Sequence, residues 1–270
     1  MRRIKNSLFF LLLPFFANAQ LEFVKIPAGT YSLGSKLHGL NKAHKVRLDS
    51  FWISTTEITN AEFDRFVSNS HYVTDAEKRH NAMVFEPGLR EFEWMEDSTA
   101  YWRFPNGVSR GGIENKMNHP VTCISYRDAQ AYCKWAGYRL PTLDEWEAAA
   151  RANTRTDFFF GANNQLIHQY ANIWKGVDHL KADSTDEFVY TAPVKSFAPN
   201  AFGLYDMYGN VFEFCSRKPF GATAKPGVVH ARGGSWWCSI HSCGFFNSVD
   251  IGRVASIASF SNQGFRVVRQ

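Results

Sequence analysis

The sequence has no apolar run long enough to cross a bilayer: its most hydrophobic stretch, Leu8 to Phe16, falls short of the roughly 20 residues that a spanning helix needs. It also lacks repeats, low-complexity tracts and any Pro-, Gly- or Ser-rich linker, which argues against an array of small domains. The histidines are scattered, with no paired spacing on a helix, and this excludes a histidine metal triad. The excess of one charge sign over the other is small. The formal net charge is +5, and Arg2, Arg3 and Lys5 at the extreme N-terminus account for most of it, so no basic face for nucleic acid is expected. Cysteine is sparse too: a total of 5 is odd, so at least one thiol is unpaired.

What is present begins with a leader. Arg2, Arg3 and Lys5 precede the apolar stretch, and Ala17, Asn18 and Ala19 form an A-x-A cleavage site, so residues 1–19 read as a signal peptide. No cysteine follows to take a lipid. The expectation is a soluble periplasmic or secreted protein, a monomer, with residues 20–270 as one domain. Aromatic residues make up 16% of the chain, with 24 Phe and 8 Trp, enough for a large ring-rich core.

Three capping boxes mark helix starts, because a hydroxyl can accept from the N3 amide while the N3 carboxylate reaches back to the N-cap. They are Thr59 with Glu62, Ser125 with Asp128, and Thr142 with Glu145. The helices are expected over Ala61–Ser68, Tyr126–Ala136 with Gly137 as its stop, and Leu143–Ala152. Strand patterns occur at Phe23, Val24 and Ile26, and again at Val46, Leu48, Phe51 and Ile53. From Asn153 to Arg232 short apolar pieces alternate with Gly, Pro, Asn and Asp, which implies irregular backbone held by something other than ladders; a bound cation is one candidate. Cys238 and Cys243 lie five apart after the Gly233-Gly234-Ser235 turn, and on spacing alone a structural disulfide is the simpler reading in an oxidising compartment.

Several blocks in fixed order point further. They include Phe51-Trp52-Ile53, Thr56-Glu57-Ile58-Thr59-Asn60, Asn118-His119-Pro120-Val121, Arg139-Leu140-Pro141-Thr142 and Tyr170-Ala171-Asn172-Ile173-Trp174. Asn200-Ala201-Phe202-Gly203-Leu204-Tyr205-Asp206-Met207, Gly209-Asn210-Val211, Arg232-Gly233-Gly234-Ser235 and Gly264-Phe265-Arg266 complete the set. Together they make the chain similar to the formylglycine-generating, or sulfatase-modifying factor, proteins along nearly all of residues 20–270. The resemblance implies an α+β domain with little regular structure, of the formylglycine-generating-enzyme fold and related to C-type lectins. It implies a copper-dependent oxidase that uses dioxygen to turn a cysteine of a partner protein, a sulfatase or similar, into formylglycine. Cys238 and Cys243 would bind Cu(I), a soft ion that selects sulfur, with Ser235 and Asn262 as polar helpers.

The resemblance also implies two Ca²⁺ sites built from oxygen donors. The first would use Asn172, the Ile173 carbonyl, Asp186 and the Phe188 carbonyl. The second would use Asp206, the Gly209 and Val211 carbonyls, and Glu213. The alternative, a non-catalytic structural or secretion-associated member of the superfamily, would usually lack the cysteine pair, which this chain keeps; a calcium-dependent lectin-like module would be expected to carry a Glu-Pro-Asn or Trp-Asn-Asp motif, which it lacks. Departures gather near the pair. Ile251 stands where the family has an arginine, Phe212-Glu213-Phe214 replaces Trp-Glu-Trp, and Val267 removes the usual disulfide partner of Cys133, so an altered peptide groove and a free, buried Cys133 are expected.

Overall fold

The computed structural model describes residues 21–37, 40–181, 188–216 and 225–269. In chain order, β1 (Phe23–Ile26), β2 (Gly29–Leu33), β3 (His44–Leu48) and β4 (Phe51–Ser54) are followed by α1 (Asn60–Ser70) and α2 (Asp75–Arg79). Next come β5 (Ala82–Val84), β6 (Met95–Asp97), α3 (Tyr126–Ala136) and α4 (Leu143–Arg151). The C-terminal part supplies β7 (Phe212–Cys215), β8 (Val228–Arg232), β9 (Gly252–Ala255), β10 (Gln263–Gly264) and β11 (Val268–Arg269). β4 is the centre of an antiparallel sheet with β1 and β11, so Ile53 lies opposite both Val24 and Val268 and ties the two ends of the domain together. A second sheet has the order β10-β7-β8-β9, with β10 parallel to β7 and the other pairs antiparallel.

All three expected capping boxes form, and each N-cap hydroxyl accepts from its N3 amide. α3 runs over the expected residues and stops at Gly137 in the left-handed region, at φ 74°. A fourth box, Thr74 with Glu77, opens the short α2. Two large apolar clusters fill the interior. One gathers around Trp146 of α4, with Ile26, Ile53, Leu204 and Tyr208; the other packs Phe63 and Phe66 of α1 against Tyr132 of α3, Trp102 and Phe265. Full burial of rings of this size stabilises the fold by roughly 1.5–3 kcal/mol each.

Buried polar side chains hold the irregular backbone. Asn200 Nδ2 donates to the Ala149 and Ala150 carbonyls, while its Oδ1 accepts from the amides of Phe202 and Leu204. Arg232 donates to the carbonyls of Leu143, Ser248 and Val249, and Arg266 to those of Ser54 and Tyr205. Both guanidiniums are wholly buried, and Glu147 and Glu213 neutralise them respectively. Such charges are costly to bury without a partner. Cys123, Cys133 and Cys215 are buried free thiols, with Cys133 on the inner face of α3.

Candidate active site

The chain leaves β8 through Gly233 and Gly234, both at positive φ (89° and 72°). A Cβ on Gly234 would sit 2.7 Å from the Phe246 amide nitrogen, so the turn requires glycine. Beyond it the Cys238 amide donates to the Ser235 carbonyl (2.9 Å), and Ser239 and Ser242 exchange two backbone hydrogen bonds (3.1 and 3.2 Å). In an antiparallel pair the residues flanking such a bridge form the closer, non-hydrogen-bonded pair. Those residues are Cys238 and Cys243, with Cα atoms 4.9 Å apart and sulfurs joined as a disulfide. The five-residue spacing thus encodes a tiny hairpin that brings both sulfurs to one point.

The two cysteines are not equivalent. Cys238 is fully buried in the Trp146 cluster, whereas Cys243 is half-buried and also touches a cluster of Phe85, Trp174, Trp236 and Trp237. Phe85 meets the rings of Trp174, Trp236 and Trp237 at 5.8–6.1 Å. One sulfur is therefore fixed in the core, and the other lies at an aromatic wall on the more open side. A pair of adjacent sulfurs in apolar surroundings fits a soft, low-charge ion such as Cu(I). Ser235 and Asn262 meet: Asn262 Nδ2, next to β10, donates to Ser235 Oγ (3.0 Å) in the turn that precedes Cys238, and both side chains are buried.

The oxygen-donor sets lie directly behind this turn. The Asn210 amide donates to the Asn172 carbonyl (2.8 Å), Gly209 donates to the Gly233 carbonyl (2.8 Å), and Trp236 donates to the Asn210 carbonyl (3.0 Å). Ile173 is buried beside Asn172, Phe188 is half-buried, and Asp186 lies outside the described residues. In the second set, Asp206 Oδ2 accepts from the Lys195 amide (2.8 Å), and Val211 is buried. Glu213 accepts from Trp146 Nε1 (2.6 Å) and, through both oxygens, from Arg266 (2.6 Å each).

Glu57 joins that cluster, and neither spacing nor periodicity singles it out. It is fully buried, its Oε1 accepts from Asn210 Nδ2 (3.1 Å), and its Oε2 has no partner among the described residues. Burial, then the nearby Asp206 and Glu213, pushes its carboxyl well above the usual range, and burial lifts Asp206 to about 6. Three carboxyls thus face one guanidinium. An orphaned carboxylate oxygen in an oxygen-rich pocket with surplus negative charge fits a hard cation, although Glu213 is already held by Arg266. Among the described residues no three His, Cys, Asp or Glu side chains converge on a metal position, so such an ion would rely on backbone carbonyls, as in both expected sets.

Ile251 points inward. It is buried in the Trp146 cluster, while half-buried Phe212 packs against Phe245 at 6.1 Å. At the position where the resemblance implies an arginine, this chain therefore places an apolar side chain in the core.

Comparison with known proteins places this geometry. The family model described as sulfatase-modifying factor enzyme 1-like domain matches residues 14–270. The formylglycine-generating enzyme of Mus musculus is 35% identical over 280 residues, covering 92% of this chain and 75% of that protein. The inactive C-alpha-formylglycine-generating enzyme 2 of Bos taurus is 32% identical, covering 80% of this chain and 76% of that protein. Among solved structures, PvdO from Pseudomonas aeruginosa superposes with a TM-score of 0.67 at 25% identity, covering 92% of this chain and 94% of that one.

Proposed function

The chain belongs to the sulfatase-modifying factor family, and from that membership we propose that it converts a cysteine of a partner protein into Cα-formylglycine at Cys238 and Cys243. The observation that carries this reading is the pairing of a buried sulfur, Cys238, with a half-buried one, Cys243, on a hairpin beside an aromatic wall. Cys243 is the sulfur that an incoming thiol reaches, and Cys238 keeps the pair anchored. The tryptophans exclude water, and the buried Ser235–Asn262 pair would act as a polar helper by holding the turn that leads to Cys238. Cu(I), held by the two reduced cysteines, would supply the reaction of the substrate thiol with dioxygen.

The electron balance sets what else is consumed. Turning the Cβ–SH carbon into an aldehyde removes two electrons and releases sulfide; dioxygen accepts four, so two external thiols supply the other two as they join in a disulfide, and the two oxygen atoms are accounted for by the aldehyde and one water. The same reductant keeps the Cys238–Cys243 disulfide open between turnovers. Ca²⁺ bound by Asp206, Glu213 and the carbonyls of Gly209 and Val211, and by Asn172, Ile173, Asp186 and Phe188, would brace the loops behind the pair. Export through residues 1–19 would place this chemistry in the periplasm or outside the cell. No helix among the described residues is long and apolar enough to cross a membrane.

A non-catalytic role is the second reading, favoured by the similarity to the inactive relative in Bos taurus. The test works without an identified substrate. Proteins from the same compartment are incubated with wild type or Cys243→Ser under air, Cu(I) and a thiol reductant, and new aldehydes are captured with a hydrazide. Aldehydes that depend on Cys243 support the oxidase; equal labelling with both proteins supports the non-catalytic role.

A further inference from the structure

His179 is a buried histidine next to the cysteine hairpin that the reading above leaves without a task. Its side chain is fully buried, and Nε2 lies 2.7 Å from the carbonyl oxygen of Trp237, the residue that immediately precedes Cys238. A carbonyl can only accept, so Nε2 carries the proton in this contact. The ring is sandwiched, with Trp237 stacked on it at 4.2 Å (17° between planes) and Trp174 at 4.8 Å (29°), while Phe85 meets it edge-on at 5.5 Å. Nδ1 lies 3.3 Å from Glu91 Oε2, within reach of a charge-assisted hydrogen bond when Nδ1 carries a proton as well.

The same segment holds the next carbonyl as well. The Trp174 amide donates to the Cys238 carbonyl (2.8 Å), and Trp174 Nε1 donates to the Asp178 carbonyl (2.7 Å), closing residues 174–179 into a clasp. The His179 carbonyl in turn accepts from the Gly88 amide (3.0 Å), which ties the clasp to the chain after β5. Two consecutive carbonyls leading to the buried sulfur are thus held from one short loop, and His179 supplies the side-chain half of that grip.

We infer that His179 is a positioning residue for the thiol pair: by holding the Trp237 carbonyl inside an indole sandwich, it fixes Cys238 at the separation from Cys243 that both the disulfide and a two-sulfur metal site require. The consequence is an effective concentration. Two sulfurs held together close a disulfide, or share one ion, far more favourably than two that wander. Loosening the grip should weaken both properties in parallel. This inference rests on the assignment of Cys238 and Cys243 as the working pair, but not on copper or on a substrate.

The test compares wild type with His179→Phe, which keeps a ring between the indoles but cannot donate, and with His179→Gln, whose amide can donate to the Trp237 carbonyl again. The pair's reduction potential is measured by glutathione titration with mass-resolved thiol labelling of Cys238 and Cys243, and Cu(I) affinity by chelator competition; the melting temperature controls for folding. For His179→Phe the expected result is a disulfide about tenfold easier to reduce, equivalent to a potential about 30 mV less negative, with Cu(I) affinity lowered to a similar degree. His179→Gln should recover most of both. If His179→Phe does not fold, Glu91→Ala, which removes the exposed carboxylate that faces Nδ1, is read instead and should shift the potential in the same direction by a smaller factor. A folded His179→Phe with wild-type potential overturns the inference, as does a wild-type potential in Glu91→Ala where that variant is used. Absence of Cu(I) binding by wild type would count against the copper assignment alone, because the potential is read without metal.

Discussion

Replacing Glu147 by glutamine should be among the most damaging isosteric changes in this protein. Its carboxylate is wholly buried and accepts from four donors: the Gly34 amide (2.7 Å), Asn41 Nδ2 (2.7 Å), Arg151 Nε (2.8 Å) and Arg232 Nη2 (3.1 Å). Glutamine replaces one acceptor oxygen by an NH₂ group that faces donors, and it leaves two buried guanidiniums without their counter-charge. Breaking a buried pair in this way costs about 3–5 kcal/mol. For a domain of this size that corresponds to a fall in Tm of about 10 °C. The pH dependence identifies the cause. Burial acts to raise the Glu147 carboxyl, but Arg232 and Arg151 outweigh it and hold the group below the usual carboxylate range. A depressed pKa contributes stability that is present above the unfolded value, about 4.3, and is lost as pH falls through the folded value. The difference between wild type and Glu147→Gln should therefore be largest near pH 7 and shrink below about pH 4. Thermal unfolding followed by circular dichroism across that range measures it. A variant within about 1 kcal/mol of wild type at pH 7, closer to the scale of ordinary surface changes, would overturn this reading of the buried cluster, and so would a difference that does not vary with pH.

Gly234→Ala forces a left-handed φ of 72° on a residue whose Cβ would meet Phe246 backbone; at about 1–2 kcal/mol for the conformation and about 1–3 for the overpacking, differential scanning calorimetry should show a loss of roughly 2–5 kcal/mol. Chelation should lower the melting temperature of protein purified with calcium. Asp206→Asn should reduce that dependence, since one carboxyl leaves a cluster of three; an unchanged chelation shift in Asp206→Asn would remove Asp206 from the site. Without reductant, the denatured chain should show three free thiols by maleimide labelling, because Cys123, Cys133 and Cys215 are unpaired. In the native state Cys133, whose thiol burial pushes up to about 12, should resist alkylation at pH 8.

The helices are readable where their start is written in side chains. Thr59, Ser125 and Thr142 each announce a capping box, and Gly137 gives the end of α3, because these groups act within a few residues of themselves. α2 carries the same signal at Thr74, but a helix this short has no apolar periodicity to accompany it. β7 and β8 are not legible: Glu213 and Arg232 lie opposite each other with both side chains buried, so the expected polar–apolar alternation is absent. Composition offers a cation as the brace of the irregular stretch, whereas Asn200, Asn210, Arg232 and Arg266 supply much of that bracing through contacts that span up to 212 residues of sequence. Spacing locates Cys238 and Cys243, and the structure adds the hairpin that joins them. Position within a family motif does not reveal that Ile251 points inward. His179 and Glu57 leave no local trace, since only tertiary contacts bring them to the site.

Whether Cys238 and Cys243 form a working metal site is best decided by Cu(I) binding to the reduced protein, measured by competition with a chromophoric chelator for wild type, Cys238→Ser and Cys243→Ser. The expected result is one tightly bound copper in wild type and loss of that binding in both variants, with melting temperatures that show all three folded. Binding by wild type no tighter than by the variants would contradict the proposed oxidase, and would leave the Cys238–Cys243 bond as a structural disulfide.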